Sequence, residues 1–284
     1  MNLGKKGFRG RRLLNTICSV FIGVNILLPA GIFEAAMGKK VIEVDELIRS
    51  VLSQDCETRY KAVLSFIESA DLGSLPFLGK ELQRKKPQAL AYLREGMEFV
   101  KFQDKIAADY EVFLRSKHIE FRRKAGIDEQ KKYSEVETMK MTEDFASFFL
   151  AEVELEKSPE NQLILVESLA ERFRHYHPYE ESRPFLAALE KLMSSQDLRK
   201  RVFAAANLSF ADVKPDLRNR KVIVPILIEG LKSEDFPVRY YAQEALKRLT
   251  KVSICFNPLD FRAQRLQAIA AWQEWWKKES RKKE

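Results

Sequence analysis

Apolar positions recur at helical spacing along most of this chain, in blocks that end at a proline, a glycine or a short acidic turn. In "RYYAQEAL" (239–246) an arginine is followed by Ala242 three positions on, Ala245 six on and Leu246 seven on. "RVFAAANL" (201–208), "RYKAVLSF" (59–66) and "RLQAIAAW" (265–272) repeat the form. An acid precedes three of the four: Asp55, Asp197 and Asp235 stand four residues before Arg59, Arg201 and Arg239, whereas Asp260 stands five before Arg265. Upstream, "LPFLGKEL" (75–82), "RPFLAALEKL" (183–192) and "VPILIEGL" (224–231) each carry a proline followed by leucines at helical spacing. Together these elements predict a helix-turn-helix unit. Proline suits the first turn of the first helix, where the amide it lacks has no partner anyway. The Asp caps the second helix at its positive end. The Arg one turn in is placed to staple that Asp or its counterpart in the next unit, through Asp55–Arg59, Asp197–Arg201 and Asp235–Arg239. The small residues let a neighbouring helix approach closely.

Residues 89–157 contain no proline and alternate charged with apolar positions at helical spacing, as in "YLREGMEFVKFQDKIAADYEVFL". They predict either diverged repeats or a long helical hairpin, broken near "KAGID" (124–128), with "DFASFFLAEV" (144–153) as a core face. The N-terminal pattern is different: "KKGFRGRR" runs into "LLNTICSVFIGVNILL" (13–28), then Pro29 and Gly31. A cationic segment before one helix's length of apolar residues is the layout of a secretory signal or of an uncleaved anchor. Small residues at Ala36 and Gly38 suit a cleavage site. The predicted organisation is therefore a signal or anchor over 1–38, repeats over 41–88, a helical segment over 89–157, repeats with a cap over 158–276, and a basic tail over 277–284.

This unit pattern resembles the HEAT-repeat family, closely over 182–276 and more loosely over 41–88. The resemblance implies an all-α fold, an α-solenoid of stacked helix pairs. The closing stretch "FNPLDFRAQRLQAIAAWQEWWKK" resembles the last unit of exported bacterial HEAT-repeat proteins, on Phe256, Asn257, Pro258, Trp272, Trp275 and Trp276. There the tryptophans belong to a cap over the final apolar face, with Ile269, Trp272 and Trp276 on one helical stripe.

Composition sharpens this picture in three ways. Only 11 glycines and 10 prolines in 284 residues favour helix over a turn-rich barrel or sandwich. The net charge of +8 lies mostly at the two ends, in residues 1–38 and the tail "KKESRKKE". Between them acids and bases intersperse, so no basic stripe for specific nucleic-acid binding runs along the chain. Cys56 and Cys255 are the only cysteines besides Cys18. In an elongated repeat array they stand near opposite ends, beyond disulfide reach, and are expected to be free, buried thiols.

Little points to catalysis. "GSLPFLGKE" (73–81) spaces its glycines wrongly for a phosphate loop and puts Glu81 where magnesium needs a hydroxyl. In "ERFRHYHPYEE" (171–181), Glu171, His175 and His177 are the weak candidates for a metal. The plain alternative is a helix end before Pro178, where histidines suit the negative pole. The resemblance implies a non-catalytic scaffold that takes no cofactor and binds another macromolecule, a protein, along a concave face lined by second helices. Its setting is exported or membrane-anchored through 13–28. The alternatives are an enzyme-associated module of bilin-lyase type and envelope-surface binding through the basic tail.

Overall fold

The computed structural model describes residues 44–69, 79–80, 83–84, 87–128, 134–176, 180–210 and 217–281. The N-terminal signal or anchor segment, Cys18, most of 73–81 and His177 lie outside the described residues. The described residues are all-helical: α1 (Val44–Val51), α2 (Cys56–Ser69), α3 (Pro87–Ala125), α4 (Glu135–Leu155), α5 (Pro159–Tyr176), α6 (Arg183–Met193), α7 (Leu198–Phe210), α8 (Leu217–Gly230), α9 (Phe236–Thr250) and α10 (Arg262–Arg281). No strand occurs among them. None of these helices is long and apolar enough to cross a membrane. Residues 41–284 form one compact unit.

Helix limits follow local chemistry. Ser134 and Glu137 open α4 with a capping box: each side chain bonds the other's backbone amide. α3 stops at Gly126, whose φ of +63° is left-handed, and the Ile127 amide donates back to the Arg122 carbonyl at 3.0 Å. α9 stops at Lys251, which adopts φ 58° and donates to the Lys247 carbonyl. Pro184 and Pro237 sit in the first turns of α6 and α9. Pro225 departs from the expected first-turn place, because α8 extends upstream to Leu217 and holds this proline inside it. The helix there lacks the backbone bond that a residue-225 amide makes elsewhere.

The pairs α1–α2, α6–α7 and α8–α9 each pack internally. Neighbouring pairs then bury one another: α7 packs on α5, α6, α8 and α9, and α5 packs on α3, α4, α6 and α7. Gly230 marks a close approach of helices. A Cβ there would lie 2.7 Å from Val202 Cγ2 and 2.9 Å from the Ala242 Cβ, so hydrogen is what lets α8 close on both α7 and α9.

The middle segment takes the hairpin alternative. α3, 39 residues long, and α4 lie against each other through Phe121, Phe145, Phe148 and His118. Phe145, Ala146, Phe149 and Val153 are buried. α3 also crosses onto the second helices: the Phe99 ring lies 5.1 Å from Phe236, 4.6 Å from Tyr240 and 6.1 Å from Tyr241. Among the second helices, α7 and α9 show no exposed residue among those described, whereas α2 keeps Glu57, Thr58, Lys61, Ser65 and Glu68 exposed. Residues 162–170 of α5 and 202–209 of α7 are buried without interruption.

Candidate functional site: the arginine grip on the 251–261 strap

The four-residue spacing from Asp to Arg is a backbone relation. The amides of Arg59, Arg201 and Arg239 donate to the carbonyls of Asp55, Asp197 and Asp235 at 3.1, 3.1 and 3.2 Å, the first bonds of α2, α7 and α9. In the last unit Arg265 donates to Phe261, not to Asp260. Each turn also carries a serine two residues before its Asp. The Oγ atoms of Ser53, Ser195 and Ser233 accept the Asp amide at 3.1, 3.2 and 3.1 Å. This Ser-x-Asp pattern is legible in the sequence at all three turns.

The side-chain staple expected from Arg to Asp is corrected. Asp55 Oδ2 caps α2 by accepting the Thr58 amide and hydroxyl, both at 2.7 Å, and these bonds hold its carboxyl below the usual range. Asp197 Oδ1 takes the Arg199 amide at 2.8 Å. Asp235 accepts no backbone amide through its side chain; it pairs instead with Arg199, Nη2 at 3.0 Å. Arg201 reaches Glu229 at 2.6 Å. The reason is directional: an arginine one turn into a helix lies over the preceding turn, and its fork meets the turn's carbonyls before the Asp carboxylate.

Arg59 and Arg239 show what that position does. Arg59 Nη1 donates to the carbonyls of Ser53 and Gln54, both at 2.8 Å. Arg239 Nη1 donates to the carbonyl of Ser233 at 2.9 Å, the equivalent atom. Each then turns its Nε, and Arg59 also its Nη2, onto the irregular segment 251–261. Arg59 grips Asp260 through two parallel bonds, Nε to Oδ1 at 2.8 Å and Nη2 to Oδ2 at 2.9 Å. Arg239 Nε donates to the Pro258 carbonyl at 2.9 Å, and its Nη2 pairs with Glu95 of α3. Burial draws Arg239 down from its ordinary pKa, and Glu95 opposes the shift.

The segment so held is a strap. Phe256, Asn257, Pro258, Leu259 and Asp260 are all buried although none is helical. Asn257 folds it locally by accepting the Leu259 amide on its side-chain oxygen at 3.0 Å. The expectation of free thiols is overturned here: Cys56, the first residue of α2, and Cys255 in the strap form a disulfide, with Cα atoms 6.2 Å apart. The elongated array assumed for the thiols does not describe these residues, because α3 and the strap bring the first pair and the last pair together.

Beyond the strap, α10 packs on α8. Trp272 is fully buried, while Trp275 and Trp276 are half-buried, with ring centroids 5.5 and 6.0 Å apart in succession. Two of the three metal candidates lie among the described residues. Glu171 accepts the Tyr110 hydroxyl at 3.5 Å, His175 is exposed beside Tyr176, and His177 lies outside the described residues. No three His, Cys, Asp or Glu side chains cluster for a metal ion among the described residues. One acid escaped the sequence reading: Glu167 is buried, bonded to Arg174 Nη2 at 2.5 Å, and burial raises its pKa. Its place in an apolar helical pattern gave no signal.

Compared with known proteins, the chain matches no family model, no curated protein and no solved structure.

Proposed function

We propose that this chain is a non-catalytic, HEAT-like helical scaffold, exported or anchored by its N-terminal segment, that binds another protein. The observation that carries the reading is the recurrent unit itself. Three turns share the Ser-x-Asp bond and the Asp-to-Arg backbone bond, and each introduces a second helix packed on its partner. Three buried charged groups, Arg59, Arg239 and Asp260, serve internal closure, which supports a structural role for the motif. The Cys56–Cys255 bond supports the exported setting, since such bonds persist mainly in oxidising compartments.

With α7 and α9 largely buried, the partner is placed on another surface. Val112 and Ile119 on α3 and Val136, Met139 and Leu155 on α4 are exposed large apolar residues of the hairpin. The test is in-cell crosslinking followed by purification of the full chain, with Val112→Glu/Ile119→Glu run beside it. The expected result is one protein captured by the wild type and lost with the double variant at unchanged melting temperature. Capture undiminished by the charges overturns the hairpin as the binding surface; capture of no protein overturns the scaffold reading.

A further inference from the structure

We propose that Cys56–Cys255 is a thiol–disulfide exchange site, a clasp that a dithiol oxidoreductase closes and opens and that controls docking of the 251–261 strap. The bond joins residues 199 positions apart, so it alone ties the first described helix pair covalently to the segment entering α10. Its surroundings are asymmetric. Both cysteines are half-buried, and Gln54, Asp55, Glu57, Lys251 and Ser253 around them are exposed. A thiolate therefore has a route to sulfur. Immediately behind the bond lies the buried part of the strap, Phe256 to Asp260, with Arg59 and Arg239 bonded to it.

The exchange balances without any other reactant. The first thiolate of an external dithiol attacks one sulfur, a mixed disulfide forms, and the other cysteine leaves as thiolate. The carrier's second thiol then displaces the remaining cysteine. Two electrons and two protons have passed to the protein, which holds two thiols, and the carrier departs as a disulfide. Closure is the same path reversed, with an oxidised carrier as acceptor.

Opening removes the covalent restraint and leaves the strap held by non-covalent contacts, among them the Arg59–Asp260 pair, the Arg239 bond to the Pro258 carbonyl, and the buried Phe256 and Leu259. Those contacts are local to the strap, whereas α5, α7 and α9 each pack on three or more other helices. Reduction thus frees the strap before the core. Two amides report on it directly, because Leu259 donates to the Asn257 side chain and Asp260 to the Asn257 carbonyl.

The experiment is hydrogen exchange on the folded full chain, oxidised and then reduced by a dithiol without denaturant. The expected result is exchange at Leu259 and Asp260 faster by about tenfold or more, with α5 and α7 amides unchanged. Equal rates in the two forms overturn the proposal, as does loss of protection in all helices together. Failure of the dithiol to reduce the bond in folded protein overturns the exchange site itself. Cys56→Ser/Cys255→Ser reproduces the reduced rates if the clasp acts as stated; wild-type rates in that variant overturn it. Should the variant not fold, the reduced wild type carries the test alone. Alkylation of thiols in intact cells is expected to find the bond in the working protein, and free thiols there overturn the proposal.

Discussion

Asp260→Asn removes one charge from the grip on the strap and leaves its shape. In the native protein the Arg59 and Asp260 side chains are only 8% and 5% exposed, and two parallel bonds of 2.8 and 2.9 Å join them. Breaking a buried pair on one side generally costs about 3–5 kcal/mol, because the partner is left charged and out of water. Arg59 keeps the carbonyls of Ser53 and Gln54, so its loss is partly offset, and the expected destabilisation is roughly 2–4 kcal/mol. Arg59→Met keeps the aliphatic stem, removes the fork and leaves Asp260 buried, for a loss of similar size. The double variant has no orphan charge. It is expected to lose ~2–3 kcal/mol less than the sum of the singles. Urea unfolding at fixed pH with the disulfide intact measures all four proteins. The contrast is the pair Asp235→Ala and Arg239→Met, whose side chains do not touch; their losses are expected to add to within about 0.5 kcal/mol. Additivity at 59/260 with strong coupling at 235/239 would refute the strap grip and restore the turn staple.

Gly230→Ala drives a Cβ to 2.7 Å from Val202 and 2.9 Å from Ala242, so a loss of about 1–3 kcal/mol in urea unfolding is expected. Adding Val202→Ala is expected to relieve part of that clash. His118, ringed by Phe145 and Phe149, is pushed down to about 4 by burial first and then by Arg172 and Arg122. Its folded form resists a proton that the unfolded chain accepts near 6.5, so stability is full above that pH and falls as pH drops toward 4. The displacement corresponds to about 3 kcal/mol at full weight, and solvent around the half-buried ring reduces the expected loss to roughly 1–2 kcal/mol. His118→Leu is expected to flatten the melting profile between pH 6.5 and 4, and a persisting slope of equal size counts against this assignment. Asp55→Ala deletes a cap that binds the Thr58 amide, for ~1 kcal/mol; Asp235→Ala deletes none and is expected to lose less in the same melting assay.

Much of the architecture was legible because it is local. Helical spacing, the turns at Asp55, Asp197 and Asp235, and the all-helical class depend on residues within a few positions of one another, where backbone geometry leaves few choices. Even the Ser-x-Asp bonds were written in the chain. The destination of each guanidinium was not. Arg59 and Arg239 occupy equivalent places in their units, and Arg201 a third, yet the first two hold the strap and the last reaches Glu229. Nothing within a helical turn distinguishes them. The difference arises because segment 251–261 passes over two units and not over the other. The same holds for Cys56 and Cys255. A repeat pattern read one neighbour at a time sets them far apart, and only the long helix α3, laying Phe99 among Phe236, Tyr240 and Tyr241, draws the first pair to the last. Sequence periodicity determines which face of a helix is apolar. Which other helix covers that face is decided by the whole chain's burial at once, and in this protein that choice covered α7 and α9 while leaving one side of α2 exposed.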